Sequence, residues 1–133
     1  MEKVVEFLQK NTLVFLATVD NGQPRVRPFQ FLFGEEGRLY FCTANSKAVY
    51  RQLRENPRVE LAVTSPDYLT LRVQGNATFF NDIGLKARVL NENPMIKGIY
   101  KTPDNPVFEL FYLDHGMAMF SKLTGEPPER ISF

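Results

Sequence analysis

Residues 25–47 read RVRPFQFLFGEEGRLYFCTANSK, and this stretch decides the predicted fold. Alternation predicts a strand over 25–33, in which two arginines and three phenylalanines share one face. Residues 34–37 carry the acidic, glycine-flanked sequence of a turn, and residues 39–43 predict the next strand. A helical pattern begins at Ser46, so the stretch predicts two strands that lead into a helix.

The rest of the chain continues this pattern of short strands. Apolar alternation, together with turn signals such as Asn21-Gly22, predicts seven strands. These strands cover residues 14–20, 25–33, 39–43, 59–64, 69–74, 107–113 and 117–123. A tight turn at residues 114–116, Asp-His-Gly, is predicted to join the last two strands, and Gly75 predicts a bend or bulge.

Three short helices accompany the strands. The first is predicted to end near Asn11, the second to cover 46–55, and the third to begin at Asn81 or Asp82. Many short antiparallel strands argue for a barrel, because closure removes exposed strand edges. The sequence therefore predicts one mainly β domain over residues 1–133, an antiparallel barrel of about six to seven strands with short flanking helices.

Composition limits the classes of protein that the chain can belong to. Sixteen Lys and Arg against fifteen Asp and Glu give a net charge of +1, which argues against nucleic acid or membrane as the main partner. The single Cys42 excludes an intrachain disulfide, and His115 is the one histidine, so the usual zinc ligands are missing. Residues 1–6 do not resemble a signal peptide, and no apolar run is long enough to cross a bilayer. We expect a cytoplasmic protein.

Cationic and hydroxyl-bearing side chains flank the predicted turn. Arg25 and Arg27 lie on the strand before it, and arginine binds phosphate through two parallel hydrogen bonds. The polar residues that follow, where a strand gives way to a helix, are Thr43, Asn45, Ser46 and Lys47. A cation at a helix N-terminus is unfavourable unless an anion compensates it. Beside the aromatic rings, these donors predict a site for a phosphate joined to a flat apolar ring, as in a nucleotide cofactor.

The strand over 25–33 is predicted to be apolar on both faces. The three phenylalanines occupy one face, and Val26, Gln30 and Leu32 occupy the other. A small barrel has one interior, so we expect the outer face to contact a second subunit.

The order and spacing of these motifs resemble those of a known family. The matching segments are 15–19 (FLATV), Gly22, 24–29 (PRVRPF), 37–43 (GRLYFCT), Ser46-Lys47, 56–59 (NPRV) and 73–75 (VQG). Over roughly residues 12–80 this series resembles the pyridoxamine 5′-phosphate oxidase-like flavoproteins. The resemblance implies a six-stranded antiparallel split barrel, usually a homodimer, that binds FMN in two grooves at the subunit interface.

The resemblance also implies roles for individual residues. Arg27, Thr43 and Lys47 match the family residues that hold the FMN phosphate, and residues 28–30 would follow the edge of the isoalloxazine ring. Thr70 stands where the oxidases often place a glutamine near the flavin. The candidate cofactor-binding residues are thus Arg25, Arg27, Pro28, Phe29, Gln30, Cys42, Thr43, Asn45, Ser46, Lys47 and Thr70.

The chain departs from the true oxidases at the substrate-binding residues. Residues 129–133, ERISF, stand in place of the family segment with Trp, Arg and His that grips pyridoxal, and Lys47 lacks the usual preceding arginine. The chain is more similar to the short, nitroimidazole-reductase-like branch. We therefore expect an FMN-dependent oxidoreductase that acts on an unidentified small molecule by hydride or electron transfer.

Two other functions fit the same residues. One is a non-catalytic flavin or heme carrier, sensor or storage protein, in which His115, Cys42 or a tyrosine would have to ligate heme iron. The other is a split barrel that uses a deazaflavin in place of FMN. A nucleophilic role for Cys42 has no supporting motif nearby, and the chain lacks serine hydrolase, P-loop and dinucleotide-binding motifs.

Overall fold

Short strands alternate with short helices along the whole chain. A computed structural model describes residues 1–133 and contains eight strands and four helices. The helices are α1 (Glu2–Lys10), α2 (Ala48–Glu55), α3 (Ile83–Glu92) and α4 (Pro94–Tyr100). The strands are β1 (Leu13–Asp20), β2 (Gln23–Gln30), β3 (Phe33–Glu35), β4 (Arg38–Ala44), β5 (Arg58–Thr64), β6 (Leu69–Phe80), β7 (Phe108–Lys122) and β8 (Glu129–Ser132).

All eight strands belong to one antiparallel sheet. Its order is β2-β1-β5-β6-β7-β4-β3, and β8 pairs with the second half of β7. The two end strands, β2 and β3, do not pair with each other, so the sheet stays open between them. The predicted fold class is confirmed as a mainly β split barrel with short flanking helices.

Two apolar clusters fill the structure. The larger one lies inside the curved sheet and is covered by α1, through Val4 and Leu8, and by α2, through Val49 and Leu53. In both helices these apolar residues are four apart, which places them on one face. The smaller cluster packs α3 and α4 against β4 and the start of β7. The two helices therefore form a second layer beside the barrel.

The predicted strand over 25–33 is interrupted. The Phe31 N–H still donates to the Thr12 carbonyl at 2.8 Å, whereas the Leu32 N–H donates to the Tyr40 carbonyl at 3.1 Å. This change of partner ends the alternation, so Phe33 packs in the smaller cluster and away from Phe31. The prediction that three phenylalanines share one face is wrong for Phe33.

The predicted hairpin at residues 114–116 is also wrong. β7 runs through this segment as one strand of 15 residues paired with the long strand β6. The register between them shifts from Gln74 to Asn76, so the irregularity predicted at Gly75 is present, but the extra residue lies on β7, between Asp114 and Met117. His115 has φ +50°, and a Cβ on Gly116 would lie 2.1 Å from the Gln74 carbonyl oxygen. Residues that favour tight turns also favour bulges. Both structures need residues with a left-handed backbone conformation and residues small enough for two backbone segments to approach closely.

The helical region is longer than predicted. Asp82 caps α3 by accepting a hydrogen bond from the Leu85 N–H at 3.0 Å, as one of the two predicted caps. Pro94 ends α3 but starts the additional helix α4, because proline suits the first turn of a helix. No helix in the structure has the length and apolarity needed to cross a membrane.

The free edge of β2 determines where the sheet opens. The bond from Phe31 to Thr12 and the pairing of Val14 with Phe29 fix the register with β1. In an antiparallel pair, alternate residues direct their backbone groups away from the partner, so those of Val26, Pro28 and Gln30 face the opening. Proline has no N–H, which explains why it is tolerated on this edge.

Candidate cofactor site

A groove of about 200 Å³ lies at the opening of the split barrel. It is lined by residues 27–30 of β2, Cys42 and Thr43 of β4, Lys47 and Val49 at the start of α2, and Met95, Ile96, Ile99 and Tyr100 of α4. Seven of the candidate residues therefore lie together, although they come from two strands and a helix terminus. Its lining includes two cations, Arg27 and Lys47, and a larger number of apolar side chains.

Arg27 is anchored on the inner side of β2 by neutral oxygen atoms. Its Nη1 donates to the Leu16 carbonyl at 3.2 Å and to Thr18 Oγ1 at 2.8 Å, and its Nη2 donates to Gln52 Oε1 at 2.6 Å. No carboxylate lies within ion-pair distance of this guanidinium, in contrast to the paired Arg88. Burial, and then the charge of Arg25, lower the pKa of Arg27. The positive charge of Arg27 is therefore uncompensated by the protein.

Lys47 is a second cation without an acidic partner. It occupies the N-cap position of α2, where its backbone is extended and its side chain makes no capping hydrogen bond. No acidic residue lies in the first turn of this helix. None of the ion pairs in the structure includes Lys47. The helix terminus and the lysine both favour an anion in the groove.

Thr43 is a buried donor and acceptor with no partner. Its side chain is 2% exposed, and its Oγ1 is the one fully buried side-chain polar atom in the structure that makes no hydrogen bond. Leaving a buried hydroxyl unpaired costs about 1–3 kcal/mol. A ligand oxygen in the groove would satisfy this hydroxyl, which fits the phosphate predicted there.

Cys42 lines the groove as a protonated thiol. Desolvation raises the pKa of Cys42 to about 12, although the charge of Lys47 acts in the opposite direction. Burial, with a smaller contribution from Cys42, likewise raises the pKa of Tyr100 to about 12. Neither group is an anion near neutral pH, so the groove offers neither a thiolate nucleophile nor a phenolate ligand.

We predict that Cys42 of the folded protein resists alkylation. Its folded pKa of about 12 lies above the ordinary value of 9.0, so at pH 9 the thiolate fraction is far smaller than in the unfolded chain. The reaction with iodoacetamide at pH 9 should be slower in buffer than in urea by about a hundredfold or more. Because the folded pKa is raised, the neutral thiol contributes stability below pH 9 that is lost as pH rises toward 12. Equal alkylation rates in buffer and in urea would contradict the desolvation that raises the pKa of Cys42.

The apolar wall comes from α4 and is absent from the sequence-based candidates. Ile96 and Tyr100 pack into the smaller cluster, whereas Met95 and Ile99 are 70% and 63% exposed at the groove. The signal in the sequence is the apolar pair at 95 and 99, spaced one helical turn apart. The sequence analysis did not predict α4, because the residues on both sides of this short helix are typical of loops.

Four candidate residues do not line the groove. Arg25 forms an ion pair with Asp20, with 3.7 Å between Nε and Oδ2. The Asn45 side chain donates from Nδ2 to the Pro106 carbonyl at 2.7 Å. Ser46 is exposed at the turn before α2. The Thr70 hydroxyl is hydrogen-bonded to the Thr64 hydroxyl, with 2.8 Å between the two Oγ1 atoms, on the exposed surface of β5 and β6.

Two further polar residues, both buried, hold the Arg27 side chain in place. Thr18 and Gln52 are 2% and 4% exposed, and Thr18 Oγ1 donates to Gln52 Oε1 at 2.6 Å. Both contact Arg27 and neither was a candidate from sequence. The available signal was a glutamine beside Leu53 on the apolar face of α2, since a buried polar residue usually has a specific partner.

A larger depression elsewhere on the sheet contains no candidate cofactor-binding residue. It has a volume of about 760 Å³ and is lined by residues of β1, β5, β6 and β7, among them Arg58, Glu60 and Gln74. His115, at its rim, pairs with Asp114 at 2.9 Å and does not reach the groove. Charges of both signs occur in this depression, and it contains no unpaired buried polar atom, in contrast to the smaller groove with Thr43.

Comparisons with known proteins agree with this architecture. The family model described as pyridoxamine 5′-phosphate oxidase matches residues 1–113. A NimC/NimA family protein of Clostridium acetobutylicum is 31% identical over 100% of this chain and 92% of that one, with a TM-score of 0.90. A UPF0306 protein of Pasteurella multocida is 32% identical over 75 residues, which are 56% of this chain. The chain spans about half the length of this curated relative, 50% of which is covered.

More distant structures share the fold alone. A pyridoxamine 5′-phosphate oxidase-related, FMN-binding protein of Nostoc punctiforme is 24% identical, with coverage of 97% and 87% and a TM-score of 0.70. The heme storage protein HutZ of Vibrio cholerae is 22% identical, with coverage of 85% and 87% and a TM-score of 0.67. The fold therefore occurs both in a protein described as FMN-binding and in a heme storage protein.

Proposed function

This chain belongs to the pyridoxamine 5′-phosphate oxidase family, and from that premise we propose that it is an FMN-binding oxidoreductase. The observation that carries the proposal is the set of polar side chains that line the groove. Arg27 and Lys47, two cations without carboxylate partners, line the same groove as Thr43, whose buried hydroxyl is unpaired. A phosphate monoester supplies the charge and the several acceptor oxygens that these groups lack.

The remainder of the groove suits a flat ring. The free edge of β2 offers backbone groups at Pro28 and Gln30, and the apolar side chains of Phe29, Met95 and Ile99 offer nonpolar contacts. When bound, FMN supplies the hydride or electron transfer, and the protein orients the ring and excludes water. Thr43 and the two cations would hold the phosphate away from the reacting part of the ring.

A second copy of the chain would complete this site. Ligand sites usually enclose about 300–1,000 Å³, which is more than the 200 Å³ of the groove alone. Apolar side chains on the outer face of β1 and β2 are exposed and can be covered by the second copy. They are Leu13, Phe15, Val19 and Val26. We expect a sedimentation mass of twice the 15.3 kDa of one chain, and a mass of one chain would contradict the dimer.

Thr43→Val provides a test of the phosphate end. Removing an unpaired buried hydroxyl should raise the free energy of unfolding of the cofactor-free protein by about 1 kcal/mol. The same change should weaken FMN binding by about tenfold, because one hydrogen bond to the phosphate is lost. Urea denaturation and flavin fluorescence titration measure the two effects.

Thr43→Ser is the matched control, because it keeps the hydroxyl. It should retain most of the FMN affinity, with a small loss of stability from the missing methyl group. If the valine variant bound FMN as well as the wild-type protein, the hydroxyl would not face the ligand.

Heme binding is the alternative suggested by the fold. Heme iron requires an axial ligand, and Cys42 and Tyr100 in the groove are held in their neutral forms. His115, the single histidine, lies outside the groove. The groove therefore supports a flavin phosphate better than heme.

An absorption spectrum tests the proposed cofactor. The purified protein is mixed with FMN, the excess is removed, and the released cofactor is identified by mass. We expect one flavin per chain, followed by oxidation of NADH or NADPH when a small electron acceptor is added. A colourless protein that instead gives a Soret band with heme would contradict the proposal. A retained flavin that no nicotinamide donor reduces would point to a carrier.

A further inference from the structure

The anchor of Arg27 carries an inference about how the proposed phosphate site keeps its charge. Four other arginines in the chain form ion pairs with carboxylates: Arg25, Arg51, Arg72 and Arg88. Arg27, although more buried than most arginines of the chain, is held by a carbonyl, a hydroxyl and an amide. We propose that Gln52, with Thr18, is a positioning residue that fixes the Arg27 guanidinium without neutralising it. This inference rests on the proposed phosphate site.

The amide orientation of Gln52 follows from its partners. Arginine has donors and no acceptor, so the atom of Gln52 that receives the Arg27 Nη2 must be Oε1. The same oxygen accepts the hydroxyl hydrogen of Thr18 at 2.6 Å. Thr18 Oγ1 in turn accepts from Arg27 Nη1 at 2.8 Å. The three side chains thus form a closed network in which every contact of the guanidinium is with a neutral oxygen.

This network leaves part of Arg27 available to a ligand. A guanidinium has five N–H donors, and the protein accepts three hydrogen bonds from Arg27. The two remaining donors have no protein acceptor, and Arg27 lines the groove. Fixing one side of the guanidinium orients the other side in advance, which reduces the entropy lost when an anion binds.

Helix α2 couples the two cations of the site. Lys47 is its N-cap and Gln52 lies one and a half turns later on its buried face, beside Val49 and Leu53. The helix that places the lysine at the groove therefore also places the acceptor for Arg27. A glutamate at 52 would hold the guanidinium more strongly, but its negative charge would compete with the phosphate.

Gln52→Glu tests the need for a neutral anchor, since the substitution changes charge with almost no change in shape. We expect FMN affinity to fall by about tenfold or more, with little change in riboflavin affinity or melting temperature. The dependence of FMN affinity on salt should also weaken, because the site has lost net positive charge. Gln9→Glu on the exposed face of α1 is the control for net charge and should behave as the wild-type protein.

The outcomes separate this inference from the proposed function. If the wild-type protein binds FMN and riboflavin equally, the phosphate site itself is wrong. If the wild-type protein prefers FMN and Gln52→Glu keeps that preference, the neutral anchor is wrong. If Gln52→Glu lost affinity for FMN and riboflavin to the same extent, Gln52 would have only a structural role. That outcome would also overturn the neutral-anchor proposal. If Gln52→Glu does not fold, Gln52→Met applies the same criterion: it must lose preference for FMN by several-fold while keeping riboflavin affinity.

Discussion

The double variant Arg27→Met, Lys47→Met should lose FMN affinity by about 3–6 kcal/mol, or a hundredfold and more. Each cation contributes a charge-assisted contact of about 1.5–3 kcal/mol, and neither has a carboxylate partner in the protein. Their positive charges are therefore free to bind the phosphate. Fluorescence titration of FMN at constant ionic strength measures the loss.

Two further variants make the result specific. Lys122→Met removes an exposed lysine at the end of β7, outside the groove, and should leave FMN affinity unchanged. Arg27→Lys keeps the charge but cannot satisfy the same set of acceptors, so an intermediate loss is expected. If the double variant retained wild-type affinity, the phosphate would have to bind elsewhere.

Phe111→Ala should lower the free energy of unfolding by about 3–5 kcal/mol. Phe111 is fully buried in β7, and its ring lies 5.6 Å from those of Phe29 and Phe41 and 5.3 Å from that of Phe79. Phe29 also lines the groove, so the cavity left by alanine should loosen the β2 edge and weaken FMN binding as well. Urea denaturation at a fixed protein concentration measures the loss of stability.

Phe111→Leu is the graded control for this cavity. It retains most of the apolar volume, and the expected cost is about 1–2 kcal/mol. A loss below 1 kcal/mol in the alanine variant would show that the cluster readily collapses around the missing ring. The tight contacts among these four rings argue against such relaxation.

The fold class was predictable because the local signals agree with each other. Alternation placed strands correctly around residues 14–20, 59–64 and 69–74, and the Asn21-Gly22 signal lies at the turn between β1 and β2. The errors occur where a local pattern permits two structures. At residues 114–116 the same Asp-His-Gly sequence suits a turn or a bulge, and pairing with β6 over the whole of β7 favours the bulge. At Leu32 the change of partner, from the segment before β1 to Tyr40 of β4, overrides alternation.

The lining of the groove was predictable where its residues lie close in sequence. Arg27, Thr43 and Lys47 belong to the stretch that decides the fold, and their residue types favour an anion on chemical grounds. Gln52 could not be recognised in this way, because its role depends on the packing of α2 against β1. The wall formed by α4 depends on a helix more than 40 residues away from Lys47 along the chain. Contacts of this kind follow from tertiary structure and leave a weak trace in sequence.

In the proposed complex, the opening of the split barrel holds the phosphate of a flavin. The most direct test is a pair of fluorescence titrations of the wild-type protein, one with FMN and one with riboflavin, at the same ionic strength. The two ligands share the ring and differ in the phosphate alone. FMN should bind tighter by about a hundredfold or more, because the phosphate adds contacts with Arg27 and Lys47. Equal affinities for the two ligands would show that the groove does not bind the phosphate.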